Sequence, residues 1–174
     1  MIITPSATFL RPADTTAYAA GDLVANSTAA AAVRPLEFDI TKIIRRSGVI
    51  GYVRLYKSTA TVTLATFTLH LFTQAPVVTV GDNAALAVAT AQHFLGSVAC
   101  DLSTGAFVAT ADVRARFAVL SGTAPALIAF DNSDKLVKKS LYGLLVATAG
   151  YTPASGEQFT VTLEIGDDNA NLLK

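Results

Sequence analysis

Two histidines and one cysteine are the side chains of this sequence that could act as a base or a nucleophile near neutral pH. His70 lies on the polar side of an alternating segment with Thr66 and Thr68, a pattern that predicts a half-exposed residue on a β-sheet. His93 falls at the predicted start of a strand, where we expect a similar environment. Neither histidine accompanies a serine or cysteine in a nucleophile motif such as Gly-x-Ser-x-Gly. The sequence therefore predicts no catalytic residues.

Candidate metal ligands are also sparse. The tail from Asp167 to Asn171 places oxygen ligands at alternate positions, as a calcium loop does, but the glycine and the bidentate Glu that should follow are missing. Residues 131–134 (Asp-Asn-Ser-Asp) are typical of a polar turn. Cys100 is the only cysteine, which excludes an internal disulfide and a multi-cysteine metal site. Its apolar neighbours predict a small buried residue. We predict no bound metal and no cofactor.

The sequence also lacks the larger motifs of catalysis. It contains no Gly-rich phosphate-binding loop and no dinucleotide fingerprint. Glu37, Glu157 and Glu164 are isolated, so no pair of acids can be assigned to glycoside hydrolysis. We predict that the chain is not an enzyme.

The composition favours a protein whose surface is covered by other subunits. Hydrophobic residues make up 52% of the chain, charged residues only 15%, and the mean hydropathy is +0.48. No run approaches the ~20 apolar residues of a membrane span. Obligate interfaces are apolar and poor in charge, so we predict a homo-oligomer and no membrane partner. The alternative is that small alanines raise the apolar count without creating adhesive patches.

The charge pattern argues against nucleic-acid binding. Thirteen basic residues balance 13 acidic ones. The basic doublets Arg45-Arg46 and Lys138-Lys139 lie in polar segments and form no basic stripe. The N-terminal residues lack the charged and apolar regions of a secretion signal, so we expect synthesis in the cytoplasm.

Period-two alternation is the main structural signal. It is clear in residues 158–166, 112–120 and 49–56, and each of these segments predicts a strand with one buried face. Residues 61–72 alternate too, but their phase changes near Ala65, which predicts a β-bulge or a bend. The predicted core comprises Phe38, Val53, Leu55, Phe67, Leu69, Phe117, Val119, Phe159, Val161 and Leu163.

Further short strands are predicted at 36–40, 77–80, 94–102, 105–110, 126–130 and 141–149, separated by turn residues rich in Gly, Asp, Asn and Ser. Helix is limited to short stretches within 39–46 and 83–92. This spacing predicts an all-β fold, an antiparallel β-sandwich or jelly-roll-like single domain.

The first part of the chain shows little periodicity and contains Pro5, Pro12 and Pro35. We therefore divide the chain into an extended N-terminal arm, residues 1–35, and a β-sandwich domain, residues 36–174, with every alternating strand after Pro35. Such an arm could lie across an adjacent subunit, and the domain should fold without residues 1–26. The alternative is an ordinary edge strand and loop within the domain.

Several turn-and-strand segments resemble small virion proteins of tailed bacteriophages. They are residues 15–27 (TTAYAAGDLVANS), 69–72 followed by 81–85 (LHLF, GDNAA), 141–146 (LYGLLV) and 151–161 (YTPASGEQFTV). The resemblance implies a structural role on the capsid, as a cement or decoration protein on the outside of the head, commonly as a trimer. It assigns no catalytic residues.

Two function hypotheses follow. In the first, the chain is a cement or decoration protein on the virion surface, assembled in the host cytoplasm. Its partners are its own copies, as a trimer, and the major capsid protein, whose capsomer junctions it stabilises. The alternative is a receptor-binding or carbohydrate-binding module of a phage tail or head fibre. Tyr52 and Tyr56, which share a strand face in a chain without tryptophan, are the candidate stacking residues for that role.

Overall fold

A computed structural model describes residues 1–43, 47–121, 124–125, 127–131 and 139–167. Within these ranges the regular structure is almost entirely strand, with a single 3₁₀ turn at Ala30–Ala32. No helix of the described residues is long and apolar enough to cross a membrane. The strands are β1 (Ile2–Ile3), β2 (Ser6–Leu10), β3 (Leu23–Val24), β4 (Leu36–Asp39), β5 (Ser47–Lys57), β6 (Thr66–Phe72), β7 (Phe94–Asp101), β8 (Phe107–Val108), β9 (Val113–Ala118), β10 (Leu120–Ser121), β11 (Ala124–Pro125), β12 (Ile128–Asp131), β13 (Ser140–Ala147) and β14 (Gln158–Asp167).

The long strands form two antiparallel sheets. The front sheet has the order β2–β14–β5–β9, extended by β1 along β14, by β12 along β5 and by β8 beyond β9. The back sheet has the order β4–β13–β6–β7, with β3 also paired to β13. Strands β10 and β11 form a separate short ladder.

The strand order identifies the topology. Counted along the chain, β2, β4, β5, β6, β7, β9, β13 and β14 are the eight principal strands. The front sheet then has the order first, eighth, third, sixth, and the back sheet the order second, seventh, fourth, fifth. This interleaved antiparallel order is that of a jelly roll, in which successive strands pass from one packed sheet to the other except at the hairpin of the fourth and fifth strands. The predicted all-β, jelly-roll-like sandwich is confirmed.

The core lies between the sheets and is built from the inward positions of the alternating strands. All of the predicted core residues except Phe117 are buried. Phe159 lies at its centre, stacked on Phe9 and edge-on to Phe67, with ring centroids 5.5 Å away in each case. Phe117 points to the same side but is only partly buried, because β9 lies towards the margin of the front sheet and is followed only by the short β8.

The expectation that all strands follow Pro35 is wrong. Strand β2 pairs with β14 along its whole length, and its inward residues Ala7 and Phe9 pack against the core. On the opposite side, Ser6 and Thr8 hydrogen-bond the hydroxyls of Thr162 and Thr160. Strand β2 has only five residues and lies between Pro5 and Pro12, so its alternation is a short signal in the sequence. The boundary at residue 35 between an arm and a domain stays a prediction, while in the single chain β1, β2 and β3 belong to the sandwich.

Two local predictions fail for identifiable reasons. The phase change near Ala65 comes from a turn rather than a bulge, because Leu64 has a φ of 56° and β6 begins only at Thr66. Residues 77–80 and 83–92 form neither strand nor helix. They are joined by the bridge Val78–Val88, and the second stretch is bridged to the N-terminal segment at Asp22–Ala85.

The connection between β6 and β7 covers the outer face of the back sheet. Together with residues 23–33 it buries a second apolar cluster, so that β13 is buried on both faces. The covering segments are in close contact, since a Cβ on Gly81 would lie 1.9 Å from the carbonyl oxygen of Thr28. The cluster contains Leu23, Ala25, Val33, Phe72, Tyr142 and Leu144, packed against Val78, Val80, Leu86 and Val88.

Candidate functional site

The structure brings His70 beside a serine that the sequence did not single out. His70 on β6 faces Ser97 on β7, and its Nδ1 lies 2.7 Å from the Ser97 hydroxyl. His70 is half-buried, as predicted, and burial lowers the pKa of its imidazole. In the described part of the chain no carboxylate contacts the ring, so the pair lacks the third group that orients a catalytic histidine. We interpret it as a cross-strand hydrogen bond of the sheet.

The other chemical candidates stay apart from one another. His93 precedes β7, where its carbonyl accepts a hydrogen bond from the amide of Thr73. Cys100 is only 1% exposed, which confirms the predicted buried residue, and burial raises the pKa of its thiol to about 12. A thiol with that pKa is a poor nucleophile at neutral pH.

Part of the sequence interpretation concerns residues outside the described ranges. These are the tail beyond Asp167, residues 132–134, the doublet Arg45-Arg46 and Lys138. Within the described ranges, no group of three or more His, Cys, Asp or Glu side chains could hold a metal ion. The predictions of no catalytic residue, no metal and no cofactor stay predictions.

Two buried ionic clusters lie at one end of the core. In the first, Arg11 Nη2 donates to Asp82 at 2.9 Å, and the Tyr18 hydroxyl donates to the same carboxylate at 2.7 Å. The backbone amide of Ala25 donates to Asp82 as well, at 2.7 Å. Burial raises the pKa of Tyr18, which keeps its hydroxyl neutral. The cluster ties the N-terminal segment to the loop between β6 and β7.

The second cluster ties β5 to the start of β14. Lys57 Nζ lies 2.8 Å from Glu157 and 2.8 Å from the carbonyl oxygen of Thr59, and the Tyr151 hydroxyl donates to Glu157 at 2.5 Å. Burial lowers the pKa of Lys57 although Glu157 opposes this. The rings of Tyr151 and Tyr18 stack with centroids 6.2 Å apart, which joins the two clusters. Because the charged side chains of both clusters are fully buried, we assign them to the architecture of the fold.

The outer face of the front sheet is the exposed surface with the most functional chemistry. We call it the arginine face. Alternation places Tyr52, Arg54 and Tyr56 outward on β5, and Arg114 and Arg116 outward on β9. On the other side of β5, the outward residues of β14 are Thr160, Thr162 and Glu164, and β2 adds Ser6 and Thr8.

The strand register arranges these side chains in rows across the sheet. One row runs Thr8, Thr160, Tyr56, Arg114, Phe107, and the next runs Ser6, Thr162, Arg54, Arg116. Tyr52 and Glu164 face each other in the third row. Phe107, at the β8 end of the first row, is 74% exposed. The side chains of these two rows therefore change across the sheet, from hydroxyl groups on β2 and β14 to arginines on β9.

Glu164 organises two of the arginines. It accepts Nε of Arg54 at 2.6 Å, and Nε and Nη2 of Arg116 at 2.7 and 2.5 Å. The hydrogen bonds from Arg116 are the main reason why the pKa of Glu164 falls to about 2. Bidentate geometry of this kind fixes the plane of a guanidinium group. Three guanidinium groups accompany two carboxylates, Glu164 and the more distant Asp112 at 4.0 Å from Arg114, so the face carries an excess of positive charge.

The tyrosine rings are covered by arginine side chains. The Cζ of Arg116 lies 3.4 Å from the ring centroid of Tyr52, and that of Arg114 lies 4.9 Å from the centroid of Tyr56. A groove of about 600 Å³ lies beside Tyr56 and the three arginines. Thr160 and Thr162 also line it, whereas Tyr52 does not. The covered rings are poor platforms for sugar stacking, whereas the guanidinium groups can bind an anion.

The sequence indicated which strand faces are polar but not that these strands are neighbours. Arg54, Arg114, Arg116 and Glu164 were therefore not recognised as one site. One feature of the sequence could have identified this site. In two alternating strands, arginines occupy the positions between the apolar residues and therefore lie on the outer face of each strand. Arginine and tyrosine are enriched at protein interfaces, where lysine is depleted.

No protein-family model matches the chain, and no curated protein matches its sequence. Among solved structures, a chain of the Triatoma virus empty capsid is similar at 14% identity and a TM-score of 0.28, covering 96% of this chain and 72% of that one. A chain of black queen cell virus is similar at 10% identity and a TM-score of 0.28, with 97% and 70% covered. At these scores the likenesses carry no argument, and the fold assignment rests on the strand order.

Proposed function

We propose that the chain is a structural subunit of a virion, a cement or decoration protein that binds the capsid exterior and stabilises junctions between capsomers. The observation that carries the proposal is the difference between its two outer faces. Its own loops cover the back sheet, whereas on the front sheet the side chains of Arg54, Arg114 and Arg116 are 57%, 68% and 49% exposed. An exposed sheet face with the side-chain composition of an interface supports docking to another protein.

Three further points support a structural role. The sequence segments around Tyr18, Tyr142 and Tyr151 resemble small virion proteins of tailed bacteriophages. The jelly roll is a common architecture of viral capsid domains. The polar clusters of the described residues either lie buried in the core or face outward without a catalytic arrangement. On this proposal the chain is not an enzyme, and its location is the capsid surface after assembly in the host cytoplasm.

The proposed partners are the major capsid protein and further copies of the chain, as a trimer. Large apolar side chains exposed at the sheet margins support contact between copies. Phe107 and Val108 on β8 are 74% and 46% exposed, and Ile2 on β1 is 73% exposed. Neither nucleic acid nor membrane is a partner in this proposal.

The alternative role, a receptor-binding or carbohydrate-binding module, is favoured by one observation, the groove beside Tyr56. One arginine lies over the ring of Tyr56 and one over that of Tyr52, where each competes with a stacked neutral sugar. In this role the guanidinium groups favour an anionic glycan.

The test of the proposed function is the protein composition of purified virus particles. Quantitative mass spectrometry of virions from the virus that encodes the chain should find it in numbers comparable to those of capsomers. Absence from intact particles would overturn the proposal. A few copies per particle would instead assign the chain to a tail or fibre.

A further inference from the structure

We infer that the arginine face binds an extended, acidic segment of the partner protein, in which carboxylates alternate with neutral residues. The inference rests on the proposed function, since it names the chemistry of the partner that the exposed sheet would contact. It is argued from the spacing, charge and preorganisation of the arginine side chains.

The spacing of Arg114 and Arg116 matches that of side chains on an extended segment. Arg114 and Arg116 lie two positions apart on β9 and point to the same side of the sheet. Their backbone positions are therefore about 7 Å apart along the strand. An extended segment repeats its own side chains at the same interval, so carboxylates at alternate positions match the two guanidinium groups one to one.

The arginine face also carries positive charge and hydrogen-bond donors that a ligand can use. Glu164 engages Nε of Arg54 and both Nε and Nη2 of Arg116. Among the described residues the terminal nitrogens of Arg54 donate no hydrogen bond, and Arg114 has only Asp112 at 4.0 Å. The contact with Glu164 uses Nε and Nη2 of Arg116 and leaves its Nη1 outside that contact. All three arginines thus keep donors for a ligand, and an acidic partner compensates the positive excess of the face.

Tyrosine rings hold two of the guanidinium groups in place before a ligand binds. The ring of Tyr52 supports Arg116 and that of Tyr56 supports Arg114. Because the guanidinium planes are already held, less side-chain entropy is lost when an acid binds. Phe107, in the same row as Arg114, adds an exposed apolar contact at the end of that row.

Fluorescence anisotropy with labelled peptides tests the inference on the full chain. A short peptide in which Glu and Thr alternate should bind, and its affinity should fall as salt is raised. A peptide of Glu-Thr-Thr repeats with the same number of Glu residues puts successive carboxylates on opposite sides, so it should bind more weakly. Equal affinities for the two peptides would overturn the proposed spacing.

Variants then locate the binding surface. The double substitution Arg114→Gln and Arg116→Gln should weaken the alternating peptide about tenfold. Arg114→Gln alone, which leaves the Glu164 hydrogen bonds intact, should retain the fold and still weaken binding several-fold. Arg34→Gln is the matched control, because Arg34 is exposed beside another groove. An equal effect of the control would contradict the assignment.

Heparin provides the competing outcome. If heparin binds through the same arginines while the alternating peptide does not, the face recognises a sulfated glycan and the inference is wrong. Failure of the proposed function is a separate result. If the chain is absent from virions but binds the alternating peptide, the proposed function is wrong and the acidic docking site stands. If the chain is abundant in virions but does not bind the peptide, the proposed function stands and the acidic docking site is wrong.

Discussion

Arg11 and Asp82, which are 71 positions apart in the chain, form an ion pair at 2.9 Å in which neither side chain is exposed to solvent. The pair fastens the segment after β2 to the loop that covers the back sheet. A buried charge left without its partner is strongly destabilising, so we expect loss of the N-terminal segment to destabilise the fold.

Asp82→Ala should lower the free energy of unfolding by about 3–5 kcal/mol, because it leaves the guanidinium of Arg11 buried without a counter-charge. Urea denaturation followed by circular dichroism measures the loss. Asp112→Ala is the control, since it breaks an exposed pair with Arg114 and should cost at most about 1 kcal/mol. Similar losses in the two variants would contradict the role of the buried pair.

Deletion of residues 1–26 should abolish cooperative unfolding. The deletion removes β1, β2 and β3 and takes Arg11 and Tyr18 away from Asp82. This reverses the sequence-based expectation that the truncated domain folds. A deletion of residues 1–4, which spares β2, is the control and should keep a sharp thermal transition. A cooperative transition in the variant that lacks residues 1–26 would instead support an arm that is not needed for the rest of the chain to fold.

Phe159→Ala should cost about 3–5 kcal/mol, because the ring is fully buried and contacts both Phe9 and Phe67. Phe117→Ala should cost only about 1–2 kcal/mol, since that ring is partly buried at the margin of the sheet. Chemical denaturation of the two variants gives both values. The opposite ranking would mean that β9 is packed differently.

Acid should weaken the fold partly through Glu164. Its pKa in the folded protein is about 2, below the ordinary value of 4.5. The stabilisation is therefore complete above pH 4.5 and is lost as the pH falls from there towards 2. Glu164→Gln should flatten the fall of the thermal midpoint within this window. Equal slopes for the wild type and Glu164→Gln would contradict the assignment.

The fold was largely predictable from alternation, and the exceptions have physical causes. Strands such as β5 and β14 alternate apolar and polar residues over most of their length, so their buried faces could be identified. Strand β2 alternates as well, but over only five residues between Pro5 and Pro12. Its partner β14 is about 150 residues away, as in the Ser6–Thr162 pair 156 positions apart, and local pattern carries no such pairing.

The polar clusters were less predictable than the strands. Lys57 and Glu157 would be expected at the surface, yet both side chains are fully buried because they compensate each other. The arginine face depends on β5, β9 and β14 being neighbours, which is a property of the jelly-roll strand order. Sequence alone placed the arginines on polar faces without assembling them into one surface.

The most direct test of the account is the binding of purified variants to virus particles that lack the chain. Co-sedimentation should recover the wild type and Arg34→Gln with the particles. The double variant Arg114→Gln and Arg116→Gln, shown to be folded by its thermal transition, should remain in the supernatant. Binding of the folded double variant at wild-type level would contradict the claim that the chain attaches to the capsid through its arginine face.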